Sequence, residues 1–195
     1  MAKVKAPGTP VTPLTQDTQT TCWYTGYRML FIWKGLDDPG PVTRQRGDYG
    51  TVTFIGGGTI KDKLTAIIDW NDACTSGLKT RDYLKAAKAL GMHCLACGTG
   101  LSIVDLQGML KSSPVWVAGN WHNYNHVVVV MEADENKVTF ADPWSDVGVA
   151  DTTTYNTDFF LYGSNFKTDS YGNVTGPGNP QGAYYQRGWY QFQRF

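Results

Sequence analysis

The chain has 195 residues, of which 42% are hydrophobic and 13% aromatic, so it can bury a sizeable core and is not a disordered polymer. Seventeen basic and seventeen acidic residues cancel to a formal net charge of zero. This balance argues against nucleic acid or an anionic membrane as the main partner, and no apolar run approaches the roughly 20 residues of a membrane span.

Residues 1–13 are predicted to form a flexible or extended arm, because Pro7, Pro10 and Pro13 interrupt them. The arm lacks the apolar core of a secretory signal peptide. We therefore expect a protein that is cytoplasmic, that is exported by a non-classical route, or from which a signal was removed. Residues 14–195 are expected to form a single domain.

The first amphipathic element begins at Cys22. Met29, Leu30, Ile32 and Trp33 follow at helical spacing, and the Thr20-Thr21 pair offers hydroxyls for an N-cap. The helix is predicted to end at Lys34-Gly35. Cys22 then lies in the first turn, where the free N–H groups and the helix dipole favour a thiolate over a thiol.

The rest of the chain divides into helices followed by strands. Residues 42–59 are predicted to be a loop that contains Gly56-Gly57-Gly58, without the lysine spacing of a phosphate-binding loop. Predicted helices cover about 60–70, 80–90 and 103–111, the last capped by Ser102. Predicted strands cover 93–97, 115–118, 126–132, 137–141 and 184–195. The polar turn Asp134-Glu135-Asn136 makes 126–141 a hairpin. Helices first and antiparallel strands after indicate an α+β fold.

Candidate partners for the Cys22 thiolate lie at this hairpin. His126 begins the valine-rich strand, and Asp142 follows the next strand within Phe140-Ala141-Asp142-Pro143-Trp144. His122 is the rival base; we favour His126 because it directly abuts the apolar run, so a sheet can hold its side chain. A nucleophilic cysteine requires such a base and a group that orients it.

Three features of the sequence together resemble the papain-like cysteine peptidases. They are Gln16 before Cys22-Trp23 at a helix start, Asn125-His126 before a run of valines, and Asp142-Pro143-Trp144 after a strand. The similarity runs from about Leu14 to Trp144, and it is greatest to the compact bacterial bacteriocin-processing peptidase-like domains and secreted effector proteases. The resemblance implies a papain-like fold, in which an N-terminal helical lobe packs the nucleophile's helix on a C-terminal antiparallel sheet.

The resemblance also implies roles for four residues. Cys22 would be the nucleophile and His126 its base, Asp142 would orient the imidazole, and the amide of Gln16 would stabilise the oxyanion beside the Cys22 N–H. Trp144 is expected to shield the bond between His126 and Asp142 from water.

Several functions share such a site. The leading hypothesis is a cysteine peptidase that acts through a thioester, as a bacterial effector or toxin, on a protein or peptide substrate and with a cognate inhibitor or immunity protein as a partner. The alternatives are a peptidoglycan amidase or endopeptidase, a glutamine deamidase or transamidase, an inactive papain-like binding module, and a precursor whose first residues occupy the cleft.

No cofactor is needed for this mechanism, and no metal is expected at His122 and His126. Cys94 and Cys97 form a C-x-x-C pair, but a strand would point them to opposite faces and no second pair completes a zinc site. We interpret them as ordinary buried cysteines.

Overall fold

A computed structural model of the chain describes residues 2–95, 101–121, 124–144, 151–162 and 192–195. The helices are α1 (Cys22–Trp33), α2 (Gly58–Leu64), α3 (Trp70–Ser76), α4 (Tyr83–Ala89), α5 (Ile103–Leu110) and α6 (Thr157–Tyr162). The strands are β1 (Val4–Lys5), β2 (Val42–Arg46), β3 (Val52–Gly56), β4 (His93–Leu95), β5 (Val115–Trp121), β6 (Tyr124–Ala133), β7 (Lys137–Asp142), β8 (Asp151–Asn156) and β9 (Phe192–Arg194).

Most strands join one antiparallel sheet in the order β4-β9-β5-β6-β7-β8, and β1 adds to β6. The strands β2 and β3 form a separate antiparallel pair. The α+β class expected from the sequence is confirmed.

Apolar residues cover both faces of the large sheet. Along β5 and β6, Trp116 and Val129 belong to the core that contains α1, whereas Val117 and Val128 belong to the core that contains α5 and α6. The alternation follows from the two-residue period of a strand. Because both faces are buried, the strands form nearly continuous apolar runs, as in Val127–Val130.

Helix α1 approaches β5 and β6 closely at one glycine. A Cβ atom on Gly26 would lie 2.8 Å from Cδ1 of Trp116 and 3.1 Å from Cγ1 of Val127. The Trp116 indole N–H also donates to the carbonyl of Trp23, at 3.0 Å. The start of α1, and Cys22 with it, is therefore fixed against the centre of the sheet.

The end of α1 agrees with the sequence prediction, and the cap at its start does not. The helix ends as predicted, with Gly35 at φ +78° and its N–H donating to the Ile32 carbonyl. The predicted hydroxyl cap is wrong, because Thr21 is the N-cap residue without a side-chain cap bond. Its hydroxyl donates to the Thr18 carbonyl, and the Thr20 hydroxyl donates to the Cys74 carbonyl.

Two further predictions are wrong between residues 42 and 76. The expected loop at 42–59 contains the hairpin of β2 and β3. The helix expected at 60–70 is too long, because α2 ends at Leu64. A separate helix, α3, starts at Trp70, where the Asp69 carboxylate accepts from the Asp72 N–H and caps it. The predicted cap of α5 is confirmed, since Ser102 and Asp105 form a capping box.

The N-terminal arm is extended along β6. Val4 and Lys5 pair with Ala133 and Glu132, so these two residues belong to the large sheet. The Trp33 indole donates to the Pro7 carbonyl at 3.0 Å. The proposed domain boundary at residue 13 stays a prediction.

Candidate active site

Cys22 is the first residue of α1 and lines a cleft of about 400 Å³. Its side chain is largely buried, with 8% of the residue exposed. The cleft opens between the start of α1, the segment that follows α3, and the facing ends of β5 and β6. A nucleophile at this position can meet a substrate in the cleft.

His126 lies in β6, opposite Gly119 of β5, and lines the same cleft. Its Nε2 is 2.6 Å from Oδ1 of Asp142, the last residue of β7. Because Nε2 is used by the carboxylate, Nδ1 is the ring nitrogen left for Cys22. The structure thus brings Cys22, His126 and Asp142 together at the cleft.

The surroundings of His126 favour its charged form. Desolvation lowers the pKa of the imidazole, but hydrogen bonds to Asp142 and Cys22 and the charges of both groups outweigh it. The net effect raises the His126 pKa from 6.5 to about 10. At neutral pH the ring is therefore an imidazolium that can donate from both nitrogens.

Asp142 is held by its own loop. Its Oδ1 accepts a second hydrogen bond, from the backbone N–H of Trp144 at 2.8 Å. The Trp144 ring lies edge-on to the His126 ring, with centroids 6.4 Å apart, and 47% of Trp144 is exposed. The indole therefore lies beside the imidazole while about half of Trp144 remains accessible to solvent.

Gln16 is joined to the Asp142 loop and does not line the cleft among the residues that the structure describes. Its backbone N–H donates to the Pro143 carbonyl at 3.0 Å. Its side-chain Nε2 donates to the Thr18 carbonyl at 2.8 Å, while Oε1 is buried without a partner in the described part of the chain. The amide is thus tied by one of its two N–H groups.

The family of the papain-like cysteine protease AvrRpt2 matches residues 6–157 of the chain. The chain belongs to this family. Comparison with curated proteins and with solved structures found no significant match.

Membership of the AvrRpt2 family implies cysteine protease chemistry. The matched residues include the start of α1, the hairpin of β6 and β7, and the Asp142 loop. The match starts at residue 6, whereas the resemblance in the sequence was expected to start at about Leu14. The α+β fold with a large antiparallel sheet is consistent with a papain-like fold.

The sequence interpretation missed part of the cleft. Gln19 lines it three residues before Cys22, and Asn125 lines it directly before His126. Both are polar and lie within three residues of Cys22 or His126, so their positions in the sequence were a usable signal. The wall opposite the sheet comprises Ser76, Gly77, Leu78, Lys79, Thr80 and Tyr83.

That wall is attached to the start of α1 by two hydrogen bonds to the end of α3. The Trp23 indole donates to the Ala73 carbonyl at 3.0 Å, and the Thr20 hydroxyl donates to the Cys74 carbonyl at 2.5 Å. These contacts join residues about fifty positions apart, and nothing in the local sequence indicates them.

Other cysteines and a second histidine were also candidates in the sequence. His122 and Cys97 are outside the described residues. Burial raises the pKa of Cys74 to about 12 and that of Cys94 to about 11, so both stay thiols at neutral pH. Within the described ranges, no group of three or more His, Cys, Asp or Glu residues is placed to hold a metal ion. No described helix has both the length and the hydropathy needed to cross a bilayer.

Proposed function

We propose that the chain is a cysteine peptidase that hydrolyses peptide bonds in protein substrates through Cys22, His126 and Asp142. The observation that carries this proposal is the 2.6 Å contact of His126 with Asp142 beside a cleft that Cys22 also lines. Family membership supports cysteine protease chemistry and a protein substrate. The packing of α1 against β5 and β6 suits a papain-like arrangement of nucleophile and base.

Acylation begins from a Cys22 thiolate paired with the His126 imidazolium. The sulfur bonds to the scissile carbonyl carbon, and the carbonyl π pair moves to the oxygen as an oxyanion. When the oxyanion collapses, the C–N bond breaks and His126 Nδ1 gives its proton to the leaving amine. The products of this half-reaction are a free amine and a thioester on Cys22.

Deacylation regenerates the pair. The now neutral His126 accepts a proton from water as its oxygen bonds to the thioester carbon. Collapse of the second oxyanion expels the Cys22 thiolate and leaves the acid product. Throughout, Asp142 accepts from Nε2, which keeps the ring oriented and stabilises the imidazolium.

Gln16 is proposed to donate its second amide N–H to the oxyanion, beside the backbone N–H of Cys22. Loss of one such donor typically costs about 2.7–4 kcal/mol of transition-state stabilisation, or about 100- to 1000-fold in kcat. Gln19 offers a matched control, because it has the same side chain in the same segment. We expect Gln16→Ala to lower kcat by that factor and Gln19→Ala to act mainly on KM; the reverse pattern would make Gln19 the donor.

The direct test is digestion of unfolded casein, followed by mass spectrometry of the products. We expect wild type to release peptides with new α-amino groups, Cys22→Ala to release none, and the control Cys94→Ala to behave as wild type. Ammonia release with a mass gain of about 1 Da and an intact chain would replace the peptidase by a glutamine deamidase acting through the same sulfur. No reaction by wild type would favour the inactive binding module.

The family match supports protein as the substrate class, and it lends no support to peptidoglycan or to an immunity protein as a partner. Residues 2–13 contribute nothing to the lining of the cleft, which disfavours the hypothesis that they block it. The role as a bacterial effector or toxin, and its place of action, stay predictions from the resemblance.

A further inference from the structure

Residues 16–21, here called the Gln16 segment, connect three parts of the site. At one end the Gln16 backbone N–H donates to Pro143, next to Asp142. At the other end the Thr20 hydroxyl donates to the Cys74 carbonyl, behind the cleft wall, and Cys22 follows. A shift of this segment would therefore move the amide of Gln16 relative to the nucleophile.

The Gln16 segment has one charged side chain, that of Asp17. Its Oδ2 accepts from the Val42 backbone N–H at 2.8 Å and lies 4.0 Å from an Arg28 guanidinium nitrogen. Although Asp17 is near the surface, only 21% of its side chain is accessible. The carboxylate thus joins the segment to the first residue of β2 and to the interior of α1.

Arg28 makes this attachment rigid. Its side chain is 9% exposed, and it donates from Nε and a terminal nitrogen to both oxygens of Asp38, at 2.9 and 2.8 Å. A bidentate pair of this kind fixes the orientation of the guanidinium. Arg28 lies six residues after Cys22 on the same helix, so its position relative to the nucleophile is set by α1.

We propose that Asp17 is a positioning residue. Together with Arg28 and Val42, it holds the Gln16 segment at a fixed distance from Cys22. At that distance the Gln16 amide lies where the oxyanion forms. This inference rests on the proposed peptidase function. Asp17 does not touch the reacting atoms; its effect passes through Gln16. Misplacement of such a group by about 1 Å can cost about 100-fold in rate.

The position of Gln16 matters only when the oxyanion has formed. Substrate binding in the cleft and ionisation of Cys22 precede that step, and neither uses the Gln16 amide. Loss of Asp17 is therefore expected to lower kcat and leave KM nearly unchanged, the signature of an interaction made in the transition state. A merely structural role would lower the amount of folded protein instead, and would leave kcat per folded molecule unchanged.

The test compares Asp17→Ala, Asp17→Asn and Asp38→Asn with wild type. Three quantities are measured: kcat and KM on a peptide from the casein digest, affinity for a peptide aldehyde, and the rate of Cys22 alkylation by iodoacetamide. The aldehyde reports the oxyanion position, because the Cys22 sulfur bonds to its carbon and the negative charge moves to its oxygen. Alkylation reports only the thiolate.

For Asp17→Ala we expect kcat and aldehyde affinity to fall about 10- to 100-fold, with unchanged KM and alkylation rate. Asp17→Asn keeps an oxygen that can accept from Val42 and should recover most of the loss. Asp38→Asn frees the Arg28 guanidinium without touching the Gln16 segment, so its kcat should fall less than that of Asp17→Ala, with KM unchanged.

Equal kcat and aldehyde affinity in Asp17→Ala and wild type would overturn the inference while the peptidase stands. A fall in kcat and alkylation together would also overturn it, because Asp17 would then support the nucleophile rather than the oxyanion position. Slow alkylation of Cys22 and no hydrolysis in wild type would instead remove the peptidase function, and this inference with it.

Discussion

Replacement of Asp142 by asparagine separates the charge of the orienting group from its shape. The amide has nearly the same size, and its oxygen can still accept from the Trp144 N–H. The negative charge opposite His126 Nε2 is lost. The hydrogen bonds to Asp142 and Cys22 and the charges of both groups outweigh desolvation and raise the His126 pKa from 6.5 to about 10, in favour of the imidazolium.

Asp142 supplies one charge-assisted hydrogen bond, which typically contributes about 1.5–3 kcal/mol. If that contribution is lost from the transition state, kcat/KM falls about 10- to 150-fold. The pH profile should change as well. In wild type, activity declines as pH rises through the His126 pKa near 10, since the neutral ring cannot protonate the leaving amine. In Asp142→Asn the decline should begin at lower pH, because the His126 pKa moves back toward 6.5.

The assay is kcat/KM on one peptide from pH 5 to pH 10.5, with circular dichroism at each pH to verify folding. Asp62→Asn, an exposed residue of α2, is the matched control for the loss of one carboxylate. An alkaline limb at the same pH in Asp142→Asn and wild type, with equal kcat/KM, would refute the assignment of Asp142.

Two further predictions concern stability, measured by urea unfolding. Gly26→Ala should destabilise the fold by about 1–3 kcal/mol, because the added Cβ would lie 2.8 Å from the Trp116 side chain. Gly108→Ala in α5 is the control, because its Cβ would meet nothing within 4 Å, and it should be neutral or stabilising by up to about 1 kcal/mol. A loss at Gly108 equal to that at Gly26 would contradict the packing argument. Asp38→Asn should cost at most about 1 kcal/mol at pH 7, since the Asp38 side chain is 42% exposed. The hydrogen bond from Arg28 outweighs desolvation and holds the Asp38 pKa below 3.8. The difference in unfolding free energy between Asp38→Asn and wild type should therefore disappear as pH falls through the lowered Asp38 pKa. A difference in unfolding free energy that persists at pH 2 would contradict the pair.

Local patterns were sufficient where one strong signal decided the structure. The apolar spacing after Cys22 and the Gly35 stop gave the bounds of α1, and the turn at 134–136 gave the pairing of β6 with β7. That hairpin also explains why Asp142 could be placed near His126, because antiparallel pairing brings the start of β6 back to the end of β7.

Local patterns failed where burial did not alternate. Strand β2 has one buried residue, Val42, followed by four exposed ones, so it lacks the alternation that marks a strand. Between α2 and α3 the apolar spacing of Ile60, Leu64 and Ile68 continues across the break. Asp69 caps α3 and so sets where that helix begins, but the sequence prediction followed the apolar spacing instead.

The sequence predicted the candidate site as an order of residues, without the shape of the cleft. Cys22, His126 and Asp142 were singled out from their type and their position on predicted elements. The Thr20 and Trp23 bonds to the end of α3 were not, because they depend on tertiary contacts across about fifty residues. The ion pair between Asp17 and Arg28 spans only eleven residues, but no local pattern indicated it either.

The central claim, a reactive Cys22 paired with His126, is tested most directly by the pH dependence of iodoacetamide alkylation, mapped to each cysteine. An ordinary cysteine is only about 0.3% thiolate at pH 6. We predict that Cys22 of wild type reacts rapidly at pH 6, that Cys74 and Cys94 do not, and that His126→Ala slows Cys22 to the rate of an ordinary thiol. A Cys22 that reacts no faster than Cys94, or a rate that His126→Ala leaves unchanged, would contradict the account.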